Sequence, residues 1–455
     1  MTKNNLNMCE GPFLKKLILY TIPIILTGVL QLAFNAADLI IVGQFCGSTS
    51  MAAVGATSSL TTLIVNFFMG ISIGSGVAVA QALGSGREKA IHNTVHTAIP
   101  TALVSGAILT VVGVFFSEQM LVLMGTPEAE LPLSALYMRI YFCGITASMV
   151  YNFGASILRA AGDTKSPLYY LTAAGFLNVA LNTVFVIGFH LDVAGVALAT
   201  VSSQILSAIL VLVALTKRTD ACRLNLKKIR FYKEPLKKIL RIGIPSGIQS
   251  SLFAITNVMI QSTVNSFGSV MLKGNSAAGS VGGFVYTAMH SVYQTAVNFV
   301  GQNMGARRFD NIRKVSYQCL GLVAILGLAL GALVNLLAEP LLRIYITDSP
   351  ESIPYGMIRL LYMVLPYFLC GMMDVTTGML RGMGASLAPM TISILGVCGI
   401  RIVWTYTIFP LIPTPECLYI AYPISWIITL TTQFISYKII FKKQKLQYEK
   451  RSSQP

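Results

Sequence analysis

The stretch Leu158-Arg-Ala-Ala-Gly-Asp-Thr-Lys-Ser-Pro167 returns 222 residues later as Leu380-Arg-Gly-Met-Gly-Ala-Ser-Leu-Ala-Pro389. In both copies an apolar run ends on Leu-Arg, a glycine follows, and a proline opens the next apolar run. That order reads as a helix C-terminus, a turn and a new helix. Two further pairs stand at almost the same offset. Leu14-Lys15-Lys16 with Pro23 and Asn35 recurs as Leu236-Lys237-Lys238 with Pro245 and Asn257, and Gln81-Ala-Leu-Gly84 with Arg87 recurs as Gln302-Asn-Met-Gly305 with Arg308. Three anchors at offsets of 221–222 residues mark an internal duplication.

Outward from these anchors the chain is a succession of apolar runs. Of its 455 residues 54% are hydrophobic and only 11% charged, with a mean hydropathy of +0.69. Soluble domains carry about 25% charged residues, so most of this surface must face lipid. Taking about 20 apolar residues per span, twelve segments qualify: 15–43, 52–83, 92–116, 132–158, 166–189, 193–215, 237–264, 275–303, 312–337, 354–380, 387–410 and 418–441. Met1–Gly11 is polar and the run after Lys16 is longer than a signal-peptide core, so no cleavable signal is expected.

The net charge of +16 would suit nucleic acid if it were clustered on a folded surface. Instead 28 of the 33 Lys and Arg fall in the N-terminus, the C-terminus and the connections on one side of the spans. Lys273 and Arg343 lie in connections on the other side, and Arg139, Arg359 and Arg401 within spans or at their ends. The positive-inside rule then places both termini in the cytoplasm of a multi-pass cytoplasmic-membrane protein.

The expected fold is an all-α integral membrane protein of about twelve transmembrane helices in two six-helix bundles. Six is even, so the halves run in parallel, related by a pseudo-two-fold axis along the membrane normal. The expected domains are an N-terminal bundle over 12–215, a basic cytoplasmic linker over 216–235, a C-terminal bundle over 236–441 and a cytoplasmic tail over 442–455. The linker, TKRTDACRLNLKKIRFYKEP, reads as a solvated segment touching anionic headgroups. Eight cysteines without a CxxC pair imply neither disulfide framework nor metal cluster.

An ionisable group within a span is a functional candidate by default. Of seventeen acids, only Asp38 and Asp374 lie well inside apolar runs. At the depth of Asp38, Asn178 and Asn182 share one face of the fifth span and Thr200 lies two turns into the sixth. Carboxylate, amides and hydroxyl together make an oxygen-rich cation site. Asp374 in the tenth span is a candidate substrate counter-charge, too far in depth from Arg401 to pair with it. His290 and Gln249 are candidates for the C-terminal half of a cavity, and Phe34, Met69, Tyr151 and Met289 for an adaptable apolar surface.

On these motifs the sequence resembles the multidrug and toxic-compound extrusion (MATE) family of cation-coupled exporters, over about residues 12–441. The carrying residues are Asn35-Ala-Ala-Asp38 with Val42-Gly43, Gln81–Gly84, Leu158–Pro167, Gly195–Thr200, Asn298–Gly305 and Leu380–Gly384. The resemblance implies export of organic, often cationic compounds in exchange for Na⁺ or H⁺. It also implies a cation site formed by Asp38, Asn178, Asn182 and Thr200, with Na⁺ as the possible metal. Asn182 stands where many relatives carry Asp, so the site has one negative charge instead of two. The second, C-terminal cation site of some relatives does not carry over, because the seventh span has no acid and Cys370 stands where they place an Asp.

The implied partners are a small organic substrate and membrane lipid, with no nucleic acid, no cofactor beyond the coupling ion and no obligate protein partner. Export of a lipid-linked precursor is the nearest rival. A membrane enzyme is disfavoured because HExxH and GxSxG are absent and His92 with His96 lack a third ligand at suitable spacing. A nucleotide-driven pump lacks its phosphate loop, and a channel lacks rings of pore charge.

Overall fold

The computed structural model describes residues 6–347 and 349–452; the last residues of the expected tail, 453–455, lie outside them. Within the described residues the chain is helical. The elements are α1 (Phe13–Phe45), α2 (Gly47–Gly84), α3 (Glu88–Leu123), α4 (Leu131–Ala160), α5 (Lys165–Asn182), α6 (Asp192–Thr216), α7 (Lys233–Asn265), α8 (Ser269–Gly305) and α9 (Phe309–Leu336). They continue as a short α10 (Ala338–Tyr345), then α11 (Ile353–Arg359), α12 (Tyr367–Gly382), α13 (Leu387–Ser393), α14 (Ile400–Thr407) and α15 (Pro415–Ser452).

Helices cover all twelve of the expected segments. α11 and α12, joined through a π-helical turn, form one span bent by 40°. α13 and α14 form another through a second π turn. Nine helices, ten with the bent pair, are long and apolar enough to cross a membrane among the described residues. α7 and α8 have the length, 33 and 37 residues, but are richer in Gly, Ser and Asn.

The repeated Leu-Arg-x-x-Gly motif closes the same way twice. Gly162 (φ +91°) and Gly384 (φ +86°) adopt the left-handed conformation. Asp163 N–H then donates to Leu158 O and Ala385 N–H to Leu380 O, each at 2.9 Å, completing a glycine-terminated helix end. Asp163 next caps α5, accepting from the Ser166 amide at 3.0 Å and its hydroxyl at 2.6 Å.

Two compact units result: residues 1–7 with 22–251, and 8–21 with 252–455. The first half of α7 thus belongs to the first unit, and the first turns of α1 to the second. In the first unit α7 meets α2 backbone to backbone. A Cβ on Gly70 would lie 2.1 Å from Gly247 N, and one on Gly74 2.7 Å from Gly243 N. At the equivalent place in the second unit, Thr21 and Thr295 share a 2.8 Å hydrogen bond between α1 and α8. Small residues let spans approach where no hydrophobic effect separates helix from lipid.

Most of the linker residues are exposed, but parts of the segment pack on the first unit. Cys222 and Leu224 are part of the hydrophobic core of the first unit. Asn225 N–H donates to His96 Nε2 at 3.0 Å and Tyr232 N–H to Thr97 Oγ1 at 3.2 Å, both on α3. His96, whose ring stacks on His92, is therefore a docking group. A two-point Arg218–Asp220 pair holds the bend before it. Most of the basic side chains are exposed, Arg218 being the buried exception, while Cys222 and Leu224 supply the apolar burial.

Burial pushes the Cys222 thiol up to about 12. At pH 8 it stays protonated, and we expect maleimide labelling on the order of a thousandfold slower than for an exposed thiol, read in a variant whose only cysteine is Cys222. His96→Ala should raise that rate several-fold by releasing the linker. Gly247→Val should lower stability by about 2 kcal/mol or more through backbone overpacking, against about 0.6 kcal/mol for Thr295→Val, measured by thermal unfolding in detergent.

Candidate functional site

In the first unit α1, α5 and α6 bring the four expected residues together. Asn182 Nδ2 donates to Asp38 Oδ1 at 2.6 Å and lies 3.3 Å from Asn178 Oδ1. Asn178 Nδ2 in turn reaches Thr200 Oγ1 at 3.5 Å. Asn178 and Asn182 are buried, Asp38 and Thr200 half-buried. Asn182 Oδ1 is buried with no hydrogen-bond partner, and Asp38 has no ion pair among the described residues.

Local sequence explains the convergence. The ring of Phe34 fills the space where a side chain on residue 175 would begin, 1.9 Å from a Cβ placed on Gly175. Gly175 lies one turn before Asn178, so its missing side chain lets α1 close on α5 and bring Asp38, four residues after Phe34, to Asn182. Immediately after Asn182 the helix widens into a π turn over Thr183–Gly188, a feature frequent at functional sites. Tyr137 of α4 lies within electrostatic reach of Asp38 and stacks on Tyr141. Sequence reading missed Tyr137, because one Tyr in an apolar run carries no distinguishing signal.

The second unit contains a cavity of about 330 Å³ walled by α7, α8, α11, α12, α14, α15 and the two π turns that carry Met363 and Val397. Asp374 lines it and receives the Tyr286 hydroxyl. Arg401 lines it too but forms no ion pair with Asp374, in keeping with their difference in depth. Its guanidinium lies 4.0 Å from the Tyr422 ring centroid and 5.7 Å from that of Trp426.

The other expected lining residues do not line this cavity. Gln249 is buried in the first unit, apart from this cavity. His290 is stacked between Tyr286 and Tyr293. Met289 is core, its sulfur filling the space beside Gly327 and Gly371. Tyr151 donates to Pro167 O at 3.1 Å and ties α4 to α5. Met69 packs against the core of the first unit, and Phe34 serves the Gly175 contact. Large side chains in these bundles are drawn into interhelical packing because glycines leave space for them.

The MatE family model matches residues 23–184 and again 245–407, two copies 222 residues apart, as the internal repeat requires. The "Probable multidrug resistance protein YoeA" of Bacillus subtilis is 28% identical over 442 residues, 95% of each chain. The "Probable multidrug resistance protein NorM" of Thermotoga maritima is 25% identical, covering 88% of this chain and 87% of its own. Among solved structures, a crystal structure of MATE in complex with MaL6 superposes with a TM-score of 0.90 at 20% identity, over 98% of this chain and all of the other. An outward-facing multidrug resistance MATE family transporter also gives 0.90, at 20% identity over 98% and 99%. These structures share the two-bundle fold, and the chain belongs to the MatE family of multi-pass membrane transporters.

Proposed function

We propose that the protein is a secondary active antiporter. It exports organic compounds, cationic ones among them, in exchange for Na⁺ or H⁺ through alternating access of its two units. One observation carries this reading: Asp38, inside a membrane span, is hydrogen-bonded at 2.6 Å by Asn182, has no cationic side chain beside it, and adjoins the unpartnered Asn182 Oδ1. A carboxylate in that position is costly unless a cation neutralises it. The residues present fit a small hard cation. Asp38, the Asn178 and Asn182 carbonyl oxygens and the Thr200 hydroxyl are all oxygen donors of the kind hard cations prefer. A proton on Asp38 would discharge the site equally well.

Exchange follows from this dependence. With the ion bound, the site is neutral and can be held away from water; with the ion released, the carboxylate demands either water or a new cation. The cost of the charged site thus ties ion occupancy to the conformational equilibrium. The multidrug relatives support an organic cargo. Both termini are assigned to the cytoplasm by the distribution of Lys and Arg, and the protein is assigned no catalytic step of its own.

In proteoliposomes, we expect ethidium efflux under an imposed Na⁺ or H⁺ gradient, and a rate at least tenfold lower for Asp38→Asn under either. Efflux by the variant at the wild-type rate would remove Asp38 from the mechanism. If Na⁺ is the ion and binds near 1 mM, 100 mM NaCl should stabilise the protein by about 2.7 kcal/mol relative to KCl, read by thermal unfolding and lost in Asp38→Asn. Equal unfolding in both salts assigns the coupling to protons. Gly175→Val should separate Asp38 from Asn182 and abolish coupled efflux while Asp38 remains present.

A further inference from the structure

The cavity of the second unit is the repeat counterpart of the Asp38 site, and its charge is reversed. The residue 222 positions beyond Asp38 is Ile260, and the one beyond Thr200 is Tyr422; both line the cavity. The counterpart of Asn178 is Ile400, and Arg401 follows it. Where the first unit presents a carboxylate with amides, the second presents a guanidinium over aromatic rings.

Arg401 is only 5% exposed. Its Nε donates to Ser425 Oγ at 3.1 Å, and its remaining N–H groups make no hydrogen bond within the described residues. A second guanidinium, Arg359, also lines the cavity and donates to Asn275 O at 2.7 Å and Oδ1 at 2.6 Å. Neither arginine has an ion-pair partner among the described residues. The one acid of the cavity, Asp374, balances at most one of them. The ring faces of Tyr422 and Trp426 attract a cation but accept none of its N–H groups as a carboxylate would. A buried charge left without a counter-ion is expensive, and a guanidinium fork matches carboxylate and phosphate oxygens two at a time. Phe253, Tyr367 and Trp426 add flat apolar wall suited to a planar body.

We propose that this cavity is a binding site for an organic anion, a carboxylate or phosphate carried on an aromatic body, with Arg401 as anchor and Arg359 as second cation. The site lies within one unit and stands independently of the exchange at Asp38. Cargo with an acidic group would be held here while the coupling ion is held in the other half.

The test uses the full chain in detergent. The protein has two tryptophans, so Trp404→Phe leaves Trp426, in the cavity wall, as sole reporter. Nitroaromatic probes quench tryptophan on contact: 4-nitrobenzoate and 4-nitrophenyl phosphate as anions, 4-nitrobenzylammonium and 4-nitrobenzyl alcohol as controls. We expect saturable quenching by both anions, at least about tenfold tighter than by either control. Arg401→Gln should weaken anion binding about tenfold or more, and Arg401→Lys less, since it keeps the charge and loses the fork. Should Arg401→Gln fail to fold, Arg359→Gln carries the same expectation. Equal affinity for the ammonium probe, or anion binding unchanged in Arg401→Gln and Arg359→Gln alike, overturns the proposal. So does inorganic phosphate binding as tightly as 4-nitrophenyl phosphate, which removes the aromatic body. Saturable binding of a polyprenyl phosphate alone would place the site on a lipid headgroup and overturn the soluble ligand. None of these readings needs an ion gradient, so failure here is distinct from failure of the antiport reading.

Discussion

The hydrogen bond from Asn182 to Asp38 is the contact that gives the first unit its chemistry. A carboxylate among membrane spans has to be solvated by something, and here three spans contribute. Asn182 can donate to Asp38 only with its amide nitrogen, which leaves its oxygen turned away and unpartnered. The site therefore holds one acid beside an amide oxygen that no protein group satisfies, the feature on which the proposed cation exchange rests. An Asp at position 182 would have repelled Asp38 and coupled the two titrations; the amide holds Asp38 in place and leaves a single acid to discharge.

That contact in turn depends on missing side chains. Gly175 admits Phe34, and this approach of α1 to α5 sets the reach of Asp38. The same device recurs through both units. Gly144 and Gly154 of α4 take Val201 and Val211 of α6, and Gly378 and Gly382 of α12 take Tyr293 and Val300 of α8. Lipid offers an apolar side chain as good an environment as a neighbouring helix does, so close backbone approach and dispersion contacts must supply the specificity of packing. Where glycine is replaced, a polar pair substitutes, as Thr21 with Thr295 stands in for Gly243 with Gly74.

Duplication gave the two halves one scaffold and left each its own polarity. The helix-end motif is kept in both, down to the left-handed glycine and the 2.9 Å bond across it. The buried polar positions diverged. Ile260 stands where the first half has Asp38, Tyr422 where it has Thr200, and Arg401 where it has Val179. Arg381, in the second copy of the motif, is buried and donates to the Tyr293 hydroxyl, so it serves the packing of α12 on α8 as well as marking a helix end.

Much of the fold was legible because a membrane imposes a long-range rule on a local pattern: a span must be apolar for about 20 residues whatever it packs against. Twelve runs, their duplication and the placement of Lys and Arg could be counted along the chain. The residues of the Asp38 site were legible for the same reason, since a lone acid in an apolar run is too costly to be incidental. Packing was not legible. Whether Met289 or Tyr151 meets a cavity or a neighbouring glycine depends on the rotation of each helix, and Gln249 falls in the first unit because α7 is shared between the two. The docking of the linker was not legible because it rests on two buried side chains and on backbone amides that reach His96 and Thr97. The sequence by itself determined that the chain is a multi-pass membrane protein of two related halves, with Asp38 and Asp374 as the acids inside its apolar runs. Only the tertiary structure decided what Asp38 touches and that the cavity of the second unit is lined by Arg359 and Arg401, neither with an ion-pair partner among the described residues, because contacts between spans are set by helix rotation and close approach, which no one-dimensional pattern records.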